Sequence, residues 1–206
     1  MSICYIVGAG DCAELDFVKQ NADFVIAADG GYKHLEKNGI KPDAVIGDFD
    51  SLGFSPEGDN VIKLNPIKDI TDMKAAVDYG ADRGYKEFCI YGACGGRIDH
   101  TFANFQLAAY LVKKEYRVKI FDGNTVITAI SNGAVEFDAR MKGYISVFSH
   151  TDISDGVTIE GLKYELNYAK LSNTEALGVS NEFIGKKSRV SVKNGILMIV
   201  YFNTTS

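Results

Sequence analysis

The chain has 206 residues, 46% hydrophobic and 24% charged, a composition that fits a folded globular protein with a sizeable core and excludes a disordered chain. Lys and Arg number 22 against 27 Asp and Glu, a net charge of −5 with no long basic run, which argues against nucleic acid and anionic membrane surfaces as general partners. The opening MSICYIVGAGD lacks the basic flank of a signal peptide, and no apolar run, Ile196 to Phe202 included, is long enough to cross a bilayer, so a cytoplasmic location is expected.

Taken in chain order, Ile3–Val7, Phe24–Ala28, Ala44–Ile46, Val61–Leu64, Phe88–Tyr91 and Val118–Phe121 read as short buried strands. Amphipathic helices are expected between them. After Asp69-Ile70-Thr71-Asp72, the residues Met73, Ala76, Val77, Gly80 and Ala81 share one helical face, and Phe102, Phe105, Ala109 and Val112 do so after His100. Such alternation predicts an α/β fold, a mostly parallel Rossmann-like sheet with flanking helices, over residues 1–122. From residue 123 the pattern turns β-rich. Gly143–Ser149 and Val157–Ile159 read as strands, and Asn194-Gly195 within Ser188–Phe202 is a strong hairpin signal. A second domain, an antiparallel β-sandwich, is expected over residues 123–206. The cysteines, Cys4, Cys12, Cys89 and Cys94, form no C-x-x-C pair and are expected to be reduced, mostly buried thiols.

Ligands of an open parallel sheet bind beyond the carboxyl ends of its strands. Carboxylates crowd those ends here: Asp29-Gly30-Gly31 after the second strand, Gly47-Asp48-Phe49-Asp50-Ser51 after the third, Asp69-Ile70-Thr71-Asp72 after the fourth, and Gly95-Gly96-Arg97-Ile98-Asp99-His100 after the fifth. Each piece has a purely structural reading. Asp69 or Thr71 caps a helix, Asp48 and Asp50 make a turn, Gly95-Gly96 bends the chain, and His100 makes a structural hydrogen bond. Their shared edge is harder to explain that way, because uncompensated acids repel. A divalent cation relieves that repulsion. Mg²⁺ takes one or two carboxylates and leaves other positions to water and phosphate, while the glycine loop at a helix start and the Arg97 fork suit phosphate oxygens. The combination points to phosphoryl-type transfer from a nucleotide. A competing signal is Gly8-Ala9-Gly10-Asp11-Cys12-Ala13, which fits G-x-G-x-x-A with Asp29 about 20 residues on, the spacing of a dinucleotide site. A nicotinamide or flavin oxidoreductase is therefore an alternative, and a non-enzymatic binding module a third. No P-loop motif occurs.

These four acidic blocks, in this order, resemble the thiamine pyrophosphokinase family. The resemblance extends to Gly161-Leu162-Lys163-Tyr164-Glu165-Leu166 and Leu177-Gly178-Val179-Ser180-Asn181. It implies a nucleotide-binding catalytic domain followed by a thiamine-binding β-sandwich, and a homodimer with sites between subunits. It implies Mg²⁺-dependent transfer of pyrophosphate from ATP to thiamine, giving thiamine diphosphate and AMP. By motif position, Asp48, Asp50, Asp72 and Asp99 would hold metal, and Asp72, Arg97, Asp50 and Asp99 would serve catalysis. Asp29, Gly30, Thr71, Gly95, Gly96 and Arg97 would bind the nucleotide, with Asp72 a candidate proton acceptor. Tyr164, Ser180 and Asn181 would meet thiamine; Tyr164 stands where many relatives carry tryptophan, and a tyrosine face also stacks on a cationic ring.

Overall fold

A computed structural model describes residues 2–12, 14–50, 60–65, 70–202 and 204–205 of the chain. Ala13, Ser51 and Asp69, which belong to the blocks above, lie outside the described residues. Contacts group the chain into two compact units, Met1–Leu107 with Tyr116–Gly123 and Ala108–Glu115 with Asn124–Ser206. Among the described residues no helix is long and apolar enough to cross a membrane.

The first unit is built on β1 (Cys4–Val7), β2 (Phe24–Ala28), α1 (Gly31–Lys37), β3 (Ala44–Gly47), β4 (Val61–Lys63), α2 (Asp72–Asp82), β5 (Glu87–Tyr91), the start of α3 (Ile98–Lys113) and β6 (Arg117–Asp122). Its strands run parallel in the order β6-β5-β1-β2-β3-β4. The central strands are apolar at nearly every position because both faces of the sheet are covered. One face sends Tyr5, Val7, Val25, Ala27, Val45, Cys89 and Tyr91 against Leu35 of α1. On the other, Gly80 of α2 comes so close that an added Cβ would lie 2.8 Å from the Cys4 sulfur and 3.0 Å from the Phe88 ring.

One expected helix is absent. Between β1 and β2 the described residues form neither helix nor strand. Leu15 and Phe17 alternate inward with exposed Asp16 and Val18, a period of two that lays the segment flat on the sheet. Phe17 stacks on Tyr5 with ring centroids 4.1 Å apart, and the Tyr91 hydroxyl donates to Asp16 at 2.7 Å.

The second unit adds β7 (Thr125–Ser131), β8 (Ala134–Phe137), β9 (Met141–Lys142), β10 (Tyr144–Ser149), β11 (Ile153–Glu160), β12 (Leu166–Ser172), β13 (Gly178–Glu182), β14 (Ser188–Ser191), β15 (Ile196–Phe202) and β16 (Thr204–Thr205). An antiparallel run β13-β10-β15-β7 faces an antiparallel sheet β12-β11-β14-β8, with Phe137 of β8 packed edge-on to Tyr201 of β15 at 5.1 Å. This is the sandwich form in which inner side chains alternate with outer ones.

The Asn194-Gly195 hairpin does not form. β14 pairs with β11 and β8, whereas β15 pairs with β10 and β7, so the turn carries the chain from one sheet to the other. β15 is apolar at every position and buried over most of its length, so it needs a neighbour on either side, which a hairpin with β14 would not supply. The Asn132 side chain accepts from Gly195 N–H at 2.9 Å and fixes the crossing.

Candidate functional site

Strand order reverses between β1 and β5: the chain leaves β1 towards β2 and leaves β5 towards β6. A crevice forms at such a point beyond the carboxyl ends of the strands. A cavity of about 500 Å³ occupies it, walled by the loops after β1, β2 and β5 and by the first turns of α2 and α3.

The loops after β1 and β5 are zipped together by main-chain bonds. Gly8 N–H donates to Tyr91 O at 2.8 Å, Gly10 N–H to Gly92 O at 2.8 Å, and Asp11 N–H to Cys94 O at 2.9 Å. A Cβ on Gly10 would lie 2.3 Å from Cys94 O, and one on Gly8 would lie 2.7 Å from Gly92 O. The glycines of the G-x-G-x-x-A run thus serve close backbone approach, which is a sufficient reason for their spacing without a dinucleotide.

Asp29 has a left-handed backbone, φ 46°, and its N–H donates to Ile46 O at 2.8 Å. Gly47 lies directly against it, so the Asp29 and Asp48 blocks sit on adjacent strand ends. Asp48 accepts from Asp50 N–H at 3.1 Å, an Asx-type turn around Phe49, which is buried with φ 66°. Thr71 caps α2 by accepting from Lys74 N–H at 3.2 Å, and Asp72 occupies the first turn, where a carboxylate suits the positive helix end. Arg97 pairs with Asp99 through Nε at 3.2 Å and a second short contact, both side chains being largely exposed. The bonded guanidinium holds the Asp99 carboxyl below the usual carboxylate range, and Asp99 in turn raises Arg97.

The cavity wall therefore unites Asp29, Thr71, Asp72, Gly95, Gly96 and Arg97. Gly30 lies beside it as the residue preceding α1, Asp48 and Asp50 follow β3, and Asp99 is held by Arg97 at the start of α3. Among the described residues no group of three or more His, Cys, Asp or Glu side chains is gathered as a metal cage. The acids offer oxygen donors only. Among the described residues that wall the cavity there is no cysteine, so no thiolate is at hand for a softer metal. That donor set fits a hard cation that takes few protein ligands.

Other acids on the sheet have structural work. Asp23 is buried and accepts from Ile3 N–H at 2.8 Å and Gln20 N–H at 2.9 Å, while Asp43 accepts from Val25 N–H at 2.7 Å and pairs with Lys19.

Two residues that sequence reasoning passed over also line the cavity. Ile70 stands just before the α2 cap. Asn104, only 7% exposed, donates from Nδ2 to Ala93 O at 2.7 Å. A lone asparagine on the apolar stripe of α3, level with Leu107, Ala108 and Leu111, was the available signal.

In the second unit, Asn181 is buried and holds the Gly161–Leu166 block. Its Nδ2 donates to Tyr164 O at 2.6 Å, and its Oδ1 accepts from Tyr164 N–H at 3.0 Å. Leu162 is buried while the Tyr164 ring is 61% exposed, with the Lys163 ammonium 5.6 Å from its centroid. Ser180 has φ 58° and its N–H donates to Ser146 Oγ at 3.1 Å. Asn181 is thus engaged with main chain, and the exposed tyrosine face is the surface it presents.

Residues 15–120 match the family described as "Thiamin pyrophosphokinase, catalytic domain", and residues 134–197 match "Thiamin pyrophosphokinase, vitamin B1 binding domain". The sequence is 30% identical over 183 residues, 85% of either chain, to the thiamine pyrophosphokinase of Bacillus subtilis (strain 168). Among solved structures, the thiamine pyrophosphokinase of Bacillus subtilis superposes with a TM-score of 0.85 at 26% identity, covering 98% of this chain and 99% of that one. The thiamin pyrophosphokinase of Geobacillus thermodenitrificans superposes with a TM-score of 0.83 at 30% identity, covering 99% of both.

Proposed function

The chain belongs to the thiamin pyrophosphokinase family, and on that premise we propose that it makes thiamine diphosphate by moving a pyrophosphoryl group from ATP to thiamine, with Mg²⁺ and release of AMP. The observation that carries the reading is the cavity at the strand-order reversal, where a three-glycine loop runs into α3 opposite the capped start of α2. Residues 1–122 would form the nucleotide-binding catalytic part and residues 123–206 the thiamine-binding part.

In this reading the backbone N–H groups around Gly95 and Gly96 and the Arg97 guanidinium bind the phosphate chain, and Thr71 adds its hydroxyl. Asp29 and Gly30 border the nucleotide. Asp48, Asp50, Asp72 and Asp99 are the residues assigned to Mg²⁺, which when bound neutralises charge on phosphate oxygens. The thiamine hydroxyl oxygen attacks the β-phosphorus, the bond to the oxygen bridging the α- and β-phosphates breaks, and AMP leaves with that oxygen. Asp72 takes the hydroxyl proton. Positioning and fixed charge supply most of the acceleration in such a loose transfer. Tyr164 offers its exposed face to the cationic thiazolium, Asn181 holds the main chain of Tyr164 in place, and Ser180 lies beside it.

The test is AMP release from ATP with Mg²⁺, with and without thiamine. Thiamine-dependent AMP with thiamine diphosphate as coproduct bears the proposal out. ADP as product overturns the pyrophosphoryl assignment, and no turnover from folded protein overturns the enzyme reading. We also assign the protein to the cytoplasm and to a homodimer with sites between subunits. Exposed Tyr144 and Phe202, whose rings lie 6.4 Å apart, support the dimer by offering apolar surface.

A further inference from the structure

We propose that Asn104 is a positioning residue that sets the phosphate-facing peptides of the Gly92–Arg97 loop. The inference rests on the nucleotide reading of that loop.

Gly92, Gly95 and Gly96 have φ of 60°, 78° and 60°, so this loop is almost all backbone, and glycine loses the most conformational freedom when ordered. Something must hold it. Three consecutive carbonyls are pinned: Gly92 O by Gly10 N–H at 2.8 Å, Ala93 O by Asn104 Nδ2 at 2.7 Å, and Cys94 O by Asp11 N–H at 2.9 Å. Two of these clamps are made by main-chain N–H groups. The third, in the middle, is the Asn104 amide. In a trans peptide the carbonyl and the following N–H point opposite ways, so pinning Ala93 O also fixes the direction of Cys94 N–H.

Asn104 sits on the second turn of α3, whose first residues follow Arg97 directly. One side chain therefore ties the loop to the helix that the loop opens. Asparagine disfavours helix interiors, and 7% exposure leaves its amide little recourse to water. The Ala93 bond accounts for its presence there. A group acting this way changes nucleotide affinity through peptide direction and leaves the thiamine end untouched.

The experiment measures ATP binding calorimetrically, with kcat and KM for both substrates, in wild type, Asn104→Leu and Asn104→Asp, each normalised to folded protein by thermal unfolding. Leu keeps the size and lacks the donor. ATP affinity is expected to fall about tenfold, the worth of one lost hydrogen bond, with KM for thiamine unchanged. In Asn104→Asp the ionised carboxylate repels Ala93 O, whereas the protonated acid donates to it. Burial raises that pKa, so the affinity gap to wild type is expected to narrow as pH falls from about 8 to about 6. Asp11, Asp29, Asp72, Arg97 and His100 on the same wall, and Cys94 in the loop itself, are common to both proteins and cancel in the ratio. Wild-type ATP affinity in Asn104→Leu, or a pH-independent ratio in Asn104→Asp, overturns the proposal; a purely structural asparagine would lower the melting temperature and leave both readouts alone. Failure of the wild type itself to bind ATP overturns the nucleotide reading instead, and this inference with it.

Discussion

Asp72 stands where two independent demands meet: it follows the Thr71 cap in the first turn of α2, and it lines the same cavity as Arg97. Asparagine keeps its size and removes its charge and basicity. Asp72→Asn is expected to lose most turnover, on the order of a hundredfold or more, with little change in melting temperature. Near-normal AMP formation would remove Asp72 from both roles proposed for it. The thiols make a different prediction. Burial lifts Cys89 and Cys94 to about 11 and Cys4 to about 12 from an ordinary value of 9.0. The folded chain therefore holds these protons more tightly than the unfolded one. Their contribution to stability is complete below about pH 9 and is lost as pH climbs through 11 to 12. Urea midpoints should be level towards pH 9 from below and fall above it. A midpoint still level at pH 11 would contradict that assignment.

At the scale of elements, α1 depends on one missing atom. A Cβ on Gly31 would lie 1.8 Å from Val7 O, and main chain offers no rotamer through which to yield. Gly31→Ala is expected to cost about 3 kcal/mol in urea unfolding. Gly39, at φ 66° with nothing within 4 Å of an added Cβ, meets only backbone strain, so Gly39→Ala should cost about 1 kcal/mol. Equal losses would mean that crowding at Val7 is relieved by movement of the helix. The buried strands and both long helices were legible in the sequence, because apolar runs and 3.6-residue spacing depend on neighbours along the chain. Two elements were not. Leu15 and Phe17 lie inward on a segment without helix or strand where a crossover helix was expected, since the Tyr5 and Tyr91 side chains beneath, distant in sequence, select a period of two. Asn194-Gly195 carried a strong local hairpin signal that the burial of β15 between β10 and β7 overrode.

For the whole molecule, light scattering should give a mass near twice 22.5 kDa if the homodimer proposal holds. A monomer at working concentration would refute it. The candidate site was legible from sequence to the extent that strand ends can be read. Asp29, Thr71, Asp72 and the Gly95-Gly96-Arg97 run share one cavity because each follows a strand of the same parallel sheet. Asn104 escaped notice because its partner is a backbone carbonyl, invisible in residue type. Asn181 was legible as the last residue of the Leu177–Asn181 block, where the resemblance assigns it to thiamine, but its engagement with the Tyr164 main chain depends on pairing across 17 positions.

The position of β15 carries a consequence for how the chain is made. It is made after both of the strands it pairs with, β10 and β7. Until Ile196–Phe202 emerges, two strand edges wait with open N–H and C=O groups, the arrangement most prone to pairing with a neighbouring nascent chain. The β10-β15-β7 run therefore closes only once β15 is free to pair, and truncation before Ile196 would leave both edges exposed.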